Sequence, residues 1–317
     1  MHNRVPRDLG GVVRLRRHLL ADGYTDQQIR GLVKSGVLHR VRRGAYVSSE
    51  LWNDCSREDQ HRIRCRAVLV AGHPLMVLTH VSAALERGVP VWGIPLDEVH
   101  TTRTDAKSSR REAGVVHHVG ILEEEDVEVI NGVRVSKAAR TAIEVSATST
   151  LEASLVVANG MLHLGLMTEE GLCAEAHRLR YWPETLGKHV LLHLVDKRMG
   201  SVAESRTDHF FWSQHLPRPE PQVEVRDEFN DLIGIVDFLW RELGVFLEFD
   251  GKIKYAQYKR PGESLDEYLR REKLREESIC QVTGWVCIRI SWADLERPAA
   301  TARRIRRLLD SRRTAVA

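Results

Sequence analysis

The sequence predicts a multidomain protein of mixed α+β and α/β class. Three observations lead to this fold class. The chain has 317 residues, which exceeds the roughly 100–200 residues that one domain usually holds. Helical and strand-like patterns of apolar residues follow one another along it. Its net positive charge is concentrated in the first fifty residues. We therefore expect three domains, at residues 1–50, 51–198 and 199–317.

The composition excludes several classes of protein. Hydrophobic residues make up 43% and charged residues 29% of the chain, as is typical of globular proteins. No apolar run approaches the ~20 residues of a membrane span, and the start lacks the apolar core of a secretory signal. The five cysteines are scattered without a CxxC pair, which indicates a reducing compartment. We expect a cytoplasmic protein with no membrane partner and no small-molecule cofactor.

The charge is unevenly distributed. The first fifty residues contain ten Lys and Arg against four Asp and Glu, a net charge of +6, whereas the whole chain carries +3. A basic end on a near-neutral body is typical of a module that binds a polyanion such as nucleic acid. The alternative is a basic end that serves only solubility.

Two short helices are expected near the N-terminus. Residues 12–20 place five apolar side chains among arginines, and Gly23 is well placed to end that helix. Thr25 and Gln28 then fit a capping box, with Thr25 as the cap and Gln28 reaching back to it. The second helix runs from there to about Ser35 and buries one apolar stripe.

A basic β-hairpin is expected next. Residues 37–47 alternate before a turn at Arg42-Arg43-Gly44 and continue as a strand after it, which predicts a hairpin with a basic tip. Helix, tight turn, helix and basic hairpin together describe a winged helix-turn-helix. In such a module the second helix enters the major groove of DNA and the hairpin lies along phosphates.

The side chains expected to contact DNA are polar or basic. Gln and Arg on the second helix can read adenine and guanine edges, and arginines of the hairpin add salt-dependent affinity that ignores sequence. They are Thr25, Gln27, Gln28, Arg30, Lys34, Arg40, Arg42 and Arg43.

The segment TDQQIRGLVKSGVLHRVRRGAYV, residues 25–47, is similar to the N-terminal domain of AbiEi-type antitoxins. Its second half follows the pattern G-x-L-x-R-V-x-R-G-x-Y of that family, and the match covers about residues 10–48. The resemblance implies a domain that binds promoter DNA, with a cognate toxin or a second copy of the chain as partner. Only about a dozen residues precede the first helix, so the winged domain is shortened, and the alternative is a module that makes protein contacts only.

The middle of the chain predicts secondary structure without a motif of chemistry. Helices are expected at residues 57–71, 81–87 and within 136–197, and strands at 97–102, 114–119 and on both sides of a turn at Asn131-Gly132. The spacing of His80, His100, His117 and His118 repeats no metal-ligand pattern, so we interpret them as incidental polar residues. The region resembles the segment that follows the winged helix in AbiEi-type relatives and is interpreted as a connector.

The C-terminal part predicts a helix, three meandering strands, a long charged helix and a fourth strand. The helix begins at residues 201–206, the strands lie at 222–225, 233–240 and 243–251, the long helix at 265–283, the fourth strand at 285–290, and a basic helix at 298–313 closes the chain.

A charged stripe lies on the third of these strands. Glu248, Asp250 and Lys252 occupy every second position of an apolar segment, so their side chains share one face. Burying such groups without partners is costly, and the stripe therefore indicates an ion-pair network or a metal site. Asp237 lies on the preceding strand, so an antiparallel pair brings the three carboxylates together. Carboxylates from adjacent strands suit Mg²⁺.

The order of elements resembles the PD-(D/E)XK nuclease fold, and is closest to the branch akin to very-short-patch-repair endonucleases. Three motifs carry the resemblance: Asp237-Phe238, Glu248-Phe249-Asp250-Gly251 and GWVCIR at residues 284–289, with Arg271 or Arg275 between them. The resemblance implies a DNA endonuclease that uses Mg²⁺, or Mn²⁺ in its place. It assigns to the metal pocket Glu204, Asp237, Glu248 and Asp250, makes Lys252 the catalytic lysine, and leaves Gln222 as a weaker candidate.

Two alternatives stay open in this part. Asp250 and Lys252 fit the acid-x-Lys pattern, which makes Asp250 the second acid of the site. Alternatively, Glu248 is the second acid and the lysine lies further along the chain than the pattern requires. Lys254 is a further candidate for the catalytic lysine. The charges can instead form a buried network with Arg271, Lys273 and Arg289 that cleaves nothing.

The sequence therefore supports two functions of different class. The first is an Mg²⁺-dependent DNA endonuclease or nickase that its winged helix positions on DNA. The second is a non-catalytic, antitoxin-like transcriptional repressor that binds DNA and keeps the nuclease fold as a scaffold.

Overall fold

A computed structural model describes residues 6–105, 110–112, 114–182, 187–250 and 262–316. The chain divides between residues 193 and 194 into two compact units, the N-terminal unit and the C-terminal unit. Helices and three β-sheets of three, six and four strands make up the described residues, which confirms a mixed α/β class. Among the described helices, none is long and apolar enough to cross a membrane.

The N-terminal unit begins with short elements around a three-stranded antiparallel sheet. They are β1 (Arg14–Leu15), α1 (Arg16–Ala21), α2 (Asp26–Lys34), β2 (Leu38–Arg42) and β3 (Ala45–Ser48), and the sheet order is β1-β3-β2. The expected helix over residues 12–20 is partly wrong. Arg14 and Leu15 pair with Tyr46 and Ala45 of β3, so a tertiary contact makes them a strand, and helix begins only at Arg16.

The core of this part includes residues beyond the first fifty. Buried Leu15 and Val47 of the small sheet pack with Ile63 and Ala67, which lie on the long helix α4 that follows α3. These two helices span Ser49–Asp54 (α3) and Arg57–Ala71 (α4). Since Ile63 and Ala67 are fully buried, α4 closes the core that the two short helices and the hairpin leave open on one side.

A six-stranded mixed sheet forms the rest of the N-terminal unit. Its elements are β4 (Met76–Leu78), α5 (His80–Glu86), β5 (Val99–Arg103), β6 (Arg110–Glu112), β7 (Val115–His118), β8 (Val127–Ile130) and β9 (Val133–Ser136), in the strand order β6-β7-β5-β4-β9-β8. The expected turn at Asn131-Gly132 is confirmed, since both residues have positive φ, 50° and 75°, as a two-residue hairpin turn requires.

Four helices complete this unit: α6 (Ala138–Thr148), α7 (Leu151–His163), α8 (Glu169–Arg178) and α9 (Gly187–Leu194). The first carries a buried ion-pair network. Arg140 Nε lies 3.0 Å from Glu144 Oε1, and Arg140 Nη1 lies 2.9 Å from Asp126 Oδ2. Each buried charge therefore has an opposite charge as partner, which is what makes its burial tolerable.

The C-terminal unit is built on a four-stranded sheet. Its elements are α10 (Val202–Ser213), β10 (Glu220–Arg226), β11 (Leu232–Trp240), β12 (Val245–Asp250), α11 (Leu265–Thr283), β13 (Val286–Ser291), α12 (Trp292–Leu295) and α13 (Pro298–Val316). The order is β10-β11-β12-β13; the first three strands are antiparallel, and β12 and β13 are parallel. A parallel pair needs a long crossover, and α11 lies within it.

Helices cover both faces of this sheet. On one face Phe238 and Leu247 pack with Phe211 of α10. On the other face Phe246 packs with Ile279 of α11. Glu248 and Asp250 follow Phe246 at two-residue intervals, so the sheet presents both carboxylates on the face that α11 covers.

Candidate functional site

A row of polar side chains crosses the four-stranded sheet. The pairs Pro221–Phe238 and Val223–Val236 flank Gln222 of β10 and Asp237 of β11, and Asp237 and Glu248 come one residue after the last antiparallel pair, Phe238–Leu247, of β11 and β12. The parallel register then pairs Glu248 with Arg289 of β13. Residues that are level on neighbouring strands lie on the same face with Cβ atoms about 4.5–5.5 Å apart. Four strands thus contribute one polar group each to a single line.

A pocket of about 490 Å³ opens beside this row. Its floor is the sheet and its other wall is α11. Every expected pocket residue of the described chain lines it, namely Glu204, Gln222, Asp237, Glu248 and Asp250, together with Arg271, Lys273, Arg275 and Arg289. The structure therefore brings together acids that lie up to 46 positions apart in the sequence.

Glu248 is the most buried acid of the pocket, with 6% of its surface exposed. Burial raises the pKa of its carboxyl, and the charge of Asp237 raises it further, while Arg275 and Arg289 act in the opposite direction. Arg275 Nη2 donates to Glu248 Oε1 at 2.7 Å, and Arg289 Nη2 donates to Oε2 at 3.4 Å. Both oxygens of this carboxylate consequently face a guanidinium.

Arg275 reaches Glu248 because the sheet leaves room for it. A Cβ atom on Gly234 of β11 would lie 3.1 Å from Arg275 Cδ and 3.2 Å from its Nη1, so a larger residue there would push the arginine away. Arg275 Nη1 also donates to the carbonyl of Ile235 at 3.3 Å. The guanidinium is therefore held against strand β11.

The other expected members of the ion-pair network line the pocket but pair with other acids. Arg271 pairs with Glu263 at 2.9 Å and with Glu272 at 3.3 Å. Lys273 lies 3.8 Å from Glu277 and is well exposed. Of the three cations proposed from sequence, only Arg289 contacts Glu248 in the described structure, and Arg275 is the one that sequence reasoning left out of the network.

Asp237 is half-buried and oriented by the backbone. Its Oδ2 accepts a hydrogen bond from the amide of Phe249 at 2.8 Å. Because Phe249 lies between Glu248 and Asp250 on the next strand, this bond ties Asp237 to the strand that carries the other two acids. A carboxylate fixed in this way keeps its direction when a ligand arrives.

Glu204 stands at the first turn of α10. Ser201 caps the helix by accepting the amide of Glu204 at 3.1 Å, and Glu204 Oε2 accepts the amide of Gly200 at 2.8 Å. Part of its carboxylate therefore serves the start of the helix, although the residue lines the pocket. Asp250 closes β12 level with Ser291 of β13.

Gln222 shows two signs of strain. Its φ is +51°, a left-handed conformation that costs about 1–3 kcal/mol for a residue with a side chain and occurs often at functional sites. Its buried Nε2 has no hydrogen-bond partner in the described structure. A buried polar atom without a partner is costly, and Gln222 lines the pocket where a ligand would supply one.

Lys252, the expected catalytic lysine, lies outside the described residues, as does Lys254. The choice between them, and between Glu248 and Asp250 as second acid of the acid-x-Lys pattern, therefore stays a prediction.

A second set of ligand-type atoms adjoins Glu248. One atom each of Glu248, Glu276 and Cys287 lies within 4.8 Å of the others. Arg289 Nε also donates to Glu276 Oε2 at 2.8 Å. Burial raises the pKa of the Cys287 thiol far above its usual range. Arg289 pairs with both carboxylates of this set, so a protein cation already balances them.

The expected DNA-contacting residues lie on α2 and on the hairpin. The capping box is confirmed: Thr25 Oγ1 accepts the amide of Gln28 at 3.3 Å, and Gln28 Oε1 accepts the amide of Thr25 at 2.8 Å. These two side chains are thus engaged at the helix start. Gln27, Arg30 and Lys34 are exposed and recur at helical spacing on one face.

An ion pair joins the two short helices. Arg16 Nε of α1 donates to Asp26 Oδ1 of α2 at 2.7 Å, and the pKa of the Asp26 carboxyl is lowered by this contact. Both side chains are exposed, so the pair contributes little to stability. At the hairpin, Arg40 and Arg43 are exposed and Arg42 is half-buried.

In comparisons with known proteins, no family model and no curated protein matches the chain significantly.

Proposed function

We propose that this chain is a DNA endonuclease or nickase that depends on a divalent metal ion. The observation that carries the proposal is the convergence of Asp237, Glu248 and Asp250 from two adjacent strands on one pocket. Like charges are gathered on a half-buried surface only where a cation repays the cost.

The donor set fits Mg²⁺, with Mn²⁺ as a substitute. Carboxylate oxygens are the hard ligands that Mg²⁺ prefers, and one or two of them with water and phosphate oxygens complete its shell. Asp237 and Glu248 would hold the ion, with Asp250 and Glu204 at its margin. Gln222 supports the same centre, because its side-chain amide has an unpartnered nitrogen beside these acids.

The surroundings of the acids suit a phosphodiester. A bound Mg²⁺ would activate a water molecule and neutralise charge on the phosphate. Arg271 and Lys273 of α11 line the same pocket, so cations flank the position that a DNA strand would take. Arg275 and Arg289 neutralise Glu248 in the absence of metal and would become available for phosphate once an ion binds that carboxylate.

The N-terminal unit would supply DNA binding as a winged helix-turn-helix. Support comes from the order of α1, α2 and the hairpin of β2 and β3, with β1 paired on β3. The exposed face of Gln27, Arg30 and Lys34 suits a major groove, and the basic hairpin suits phosphates.

Nicking of supercoiled plasmid tests the proposal. The full chain should relax plasmid with Mg²⁺ or Mn²⁺ and not with EDTA. Asp237→Asn and Glu248→Gln should each lower the rate by at least about 100-fold, the scale of losing an essential electrostatic group. Two exposed residues of the turn between β10 and β11 give matched controls, Asp231→Asn and Glu228→Gln, which should keep wild-type rates.

Failure would take a definite form. A wild-type chain that leaves duplex, single-stranded and mismatched DNA intact with both metals refutes the nuclease. Cleavage that survives in Asp237→Asn and Glu248→Gln places the activity elsewhere.

A second candidate is an antitoxin-like repressor that binds DNA without cutting it and whose C-terminal unit is a scaffold. The double contact of Glu248 with Arg275 and Arg289 favours it, because these guanidinium groups balance the buried carboxylate without any metal. This reading expects metal-independent binding to promoter DNA, no cleavage, and a cognate toxin or a second copy of the chain as partner.

A further inference from the structure

Three histidines of the N-terminal unit meet in a cluster that the sequence spacing does not reveal. His80 begins α5, His100 lies on β5 and His118 ends β7. One ring nitrogen from each lies within 4.8 Å of the others. The pairing of β5 with β7 and the position of α5 beside β5 produce this convergence.

The rings are in direct contact. His100 Nδ1 lies 2.9 Å from His118 Nε2, and the rings of His80 and His118 stack with centroids 3.7 Å apart. His80 Nδ1 is 3.0 Å from Thr79 Oγ1, which leaves Nε2 as its ligating nitrogen. A partner on one ring nitrogen that sets the tautomer for the other is the usual arrangement of a metal-binding histidine.

The spacing of His100 and His118 is close to that of two ligands in a tetrahedral site, whereas the His80 ring, stacked on His118 at an interplanar angle of 17°, would have to turn before its lone pair points at the same ion. Zn–N distances of about 2.0–2.1 Å put two ligand nitrogens about 3.3 Å apart. The His100–His118 pair, now at 2.9 Å, would open by about 0.4 Å to reach that value. The proton between them would move to the far nitrogen of its own ring, so both rings would stay neutral and both would offer a lone pair.

The scaffold holds His80 in a strained conformation. Its φ is +54°, which costs about 1–3 kcal/mol and persists only where neighbours enforce it. Here the buried carboxylate of Glu144 accepts the His80 amide at 3.2 Å and the hydroxyl of Ser136 at 2.8 Å. Strain of this kind commonly marks a functional position.

The environment keeps the rings neutral. Burial lowers the pKa of His80 well below its usual range and lowers the pKa of His100 to about 3 and that of His118 to about 4. Uncharged imidazole is the form that ligates metal.

We propose that His80, His100 and His118 form a binding site for Zn²⁺, with three imidazole ligands and a fourth position for water or another ligand. Imidazole suits Zn²⁺ and related transition metals and not Mg²⁺. The site thus differs in chemistry and in residues from the carboxylates of the C-terminal unit, and the proposal does not depend on the proposed nuclease activity.

Spectroscopy with Co²⁺ and binding of Zn²⁺ test the proposal on the full, untagged chain. The background is the double variant Asp237→Asn, Glu248→Gln, which removes the carboxylate centre. One equivalent of Co²⁺ should bind with the strong visible bands of four-coordinate Co²⁺, and Zn²⁺ should displace it. In the same background, His100→Gln and His118→Gln should each weaken Co²⁺ binding by about 100-fold or more. Loss of a residue that only hydrogen-bonds to a metal ligand lowers metal affinity by about 10–100-fold.

His117→Gln is the matched control. It neighbours His118 on β7, but its Nδ1 lies 3.0 Å from Thr101 Oγ1, and its atoms do not belong to the three-histidine group. It should bind Co²⁺ as the background does. His118→Cys should keep the ion and add thiolate-to-Co²⁺ charge-transfer absorption, which would place residue 118 in the coordination sphere.

Two outcomes overturn the site. The first is a folded background chain that binds neither Co²⁺ nor Zn²⁺ at micromolar concentration, which would leave the cluster a hydrogen-bonded stack. The second is bound metal whose affinity and spectrum are unchanged in both His100→Gln and His118→Gln.

Discussion

Arg275 donates a hydrogen bond from Nη2 to the buried carboxylate of Glu248 at 2.7 Å. The arginine lies on the crossover helix α11 and the glutamate on β12, so the pair joins helix to sheet beside the pocket. It also occupies an oxygen that a metal ion would use. Arg275 and the proposed metal would therefore compete for one carboxylate, so removal of Arg275 should change the affinity for metal.

Replacement of Arg275 by glutamine should destabilise the chain and favour metal binding. Among the described residues, the loss leaves Glu248 with the longer ion pair to Arg289 alone, and breaking a buried ion pair costs about 3 kcal/mol. Because Mn²⁺ would bind the folded state alone, saturating Mn²⁺ should restore part of this loss. Urea unfolding with and without Mn²⁺ measures both effects.

The control for this experiment lies on the same helix. Lys273→Gln removes an exposed cation whose contact with Glu277 is 3.8 Å, and it should change the free energy of unfolding by less than about 0.5 kcal/mol. Equal losses in the two variants would show that the Arg275–Glu248 pair adds nothing specific. No recovery with Mn²⁺ would argue against a metal at Glu248.

The affinity for metal should increase with pH. Burial raises the pKa of Glu248, with a further contribution from Asp237, and a protonated carboxyl cannot ligate metal. A raised pKa means that this group stabilises the metal-free fold while it is protonated, and that the contribution is lost as pH rises through the raised value. Metal binding should therefore strengthen over that range, above the ordinary value of about 4.3 for glutamate.

Calorimetric titration with Mn²⁺ between about pH 5 and pH 8 checks this dependence. The wild-type chain should take up the ion more tightly at each higher pH until the carboxyl is fully ionised. Glu248→Gln should bind weakly with a flatter profile. A wild-type affinity that does not change across the range would contradict the assignment of Glu248 as ligand.

Local signals in the sequence were sufficient for many elements. Helix α11 has the predicted bounds, residues 265–283, because Ser264 caps its start and Gly284 ends it with φ of +69°. The same holds for the capping box of α2. Such signals act within a few residues, so the sequence alone contains them.

Contacts between distant segments could not be predicted in the same way. Strand β4 has only three residues, and it forms because β5 and β9 pair on its two sides. The choice of Arg275 over Arg271 as partner of Glu248 depends on which turn of α11 lies over Gly234. The histidine cluster likewise depends on the pairing of strands, and the pattern of each strand by itself says nothing of its neighbours.

Glu144 should be among the most sensitive positions of the N-terminal unit. Its carboxylate is 1% exposed and accepts from Arg140, from the Ser136 hydroxyl and from the His80 amide. Glu144→Ala leaves three buried donors without this acceptor and should cost about 3–5 kcal/mol. Thermal and urea unfolding measure it, and exposed Glu125→Ala should change stability by less than about 0.5 kcal/mol. If Glu144→Ala lowers the free energy of unfolding by less than about 1 kcal/mol because water satisfies the three donors, the network does not stabilise the fold.

The basic hairpin should govern how DNA affinity responds to salt. Each arginine that contacts a phosphate contributes about one unit to the slope of log affinity against log salt concentration. The double variant Arg42→Ala, Arg43→Ala should bind duplex DNA more weakly and lower that slope by about two.

Fluorescence anisotropy across a salt series measures both quantities, and Arg7→Ala offers a control within the same basic segment. Arg7 pairs with Asp54 at 2.8 Å and lies outside the hairpin, so its loss should leave the slope unchanged.

By contrast, Arg30→Ala on α2 should lower the binding free energy at a preferred DNA site by about 1–3 kcal/mol and relax the base preference there. Binding that keeps its slope in the hairpin variant, or that weakens equally in the Arg7 variant, would remove the hairpin from the DNA interface and leave that face of the N-terminal unit to protein contacts.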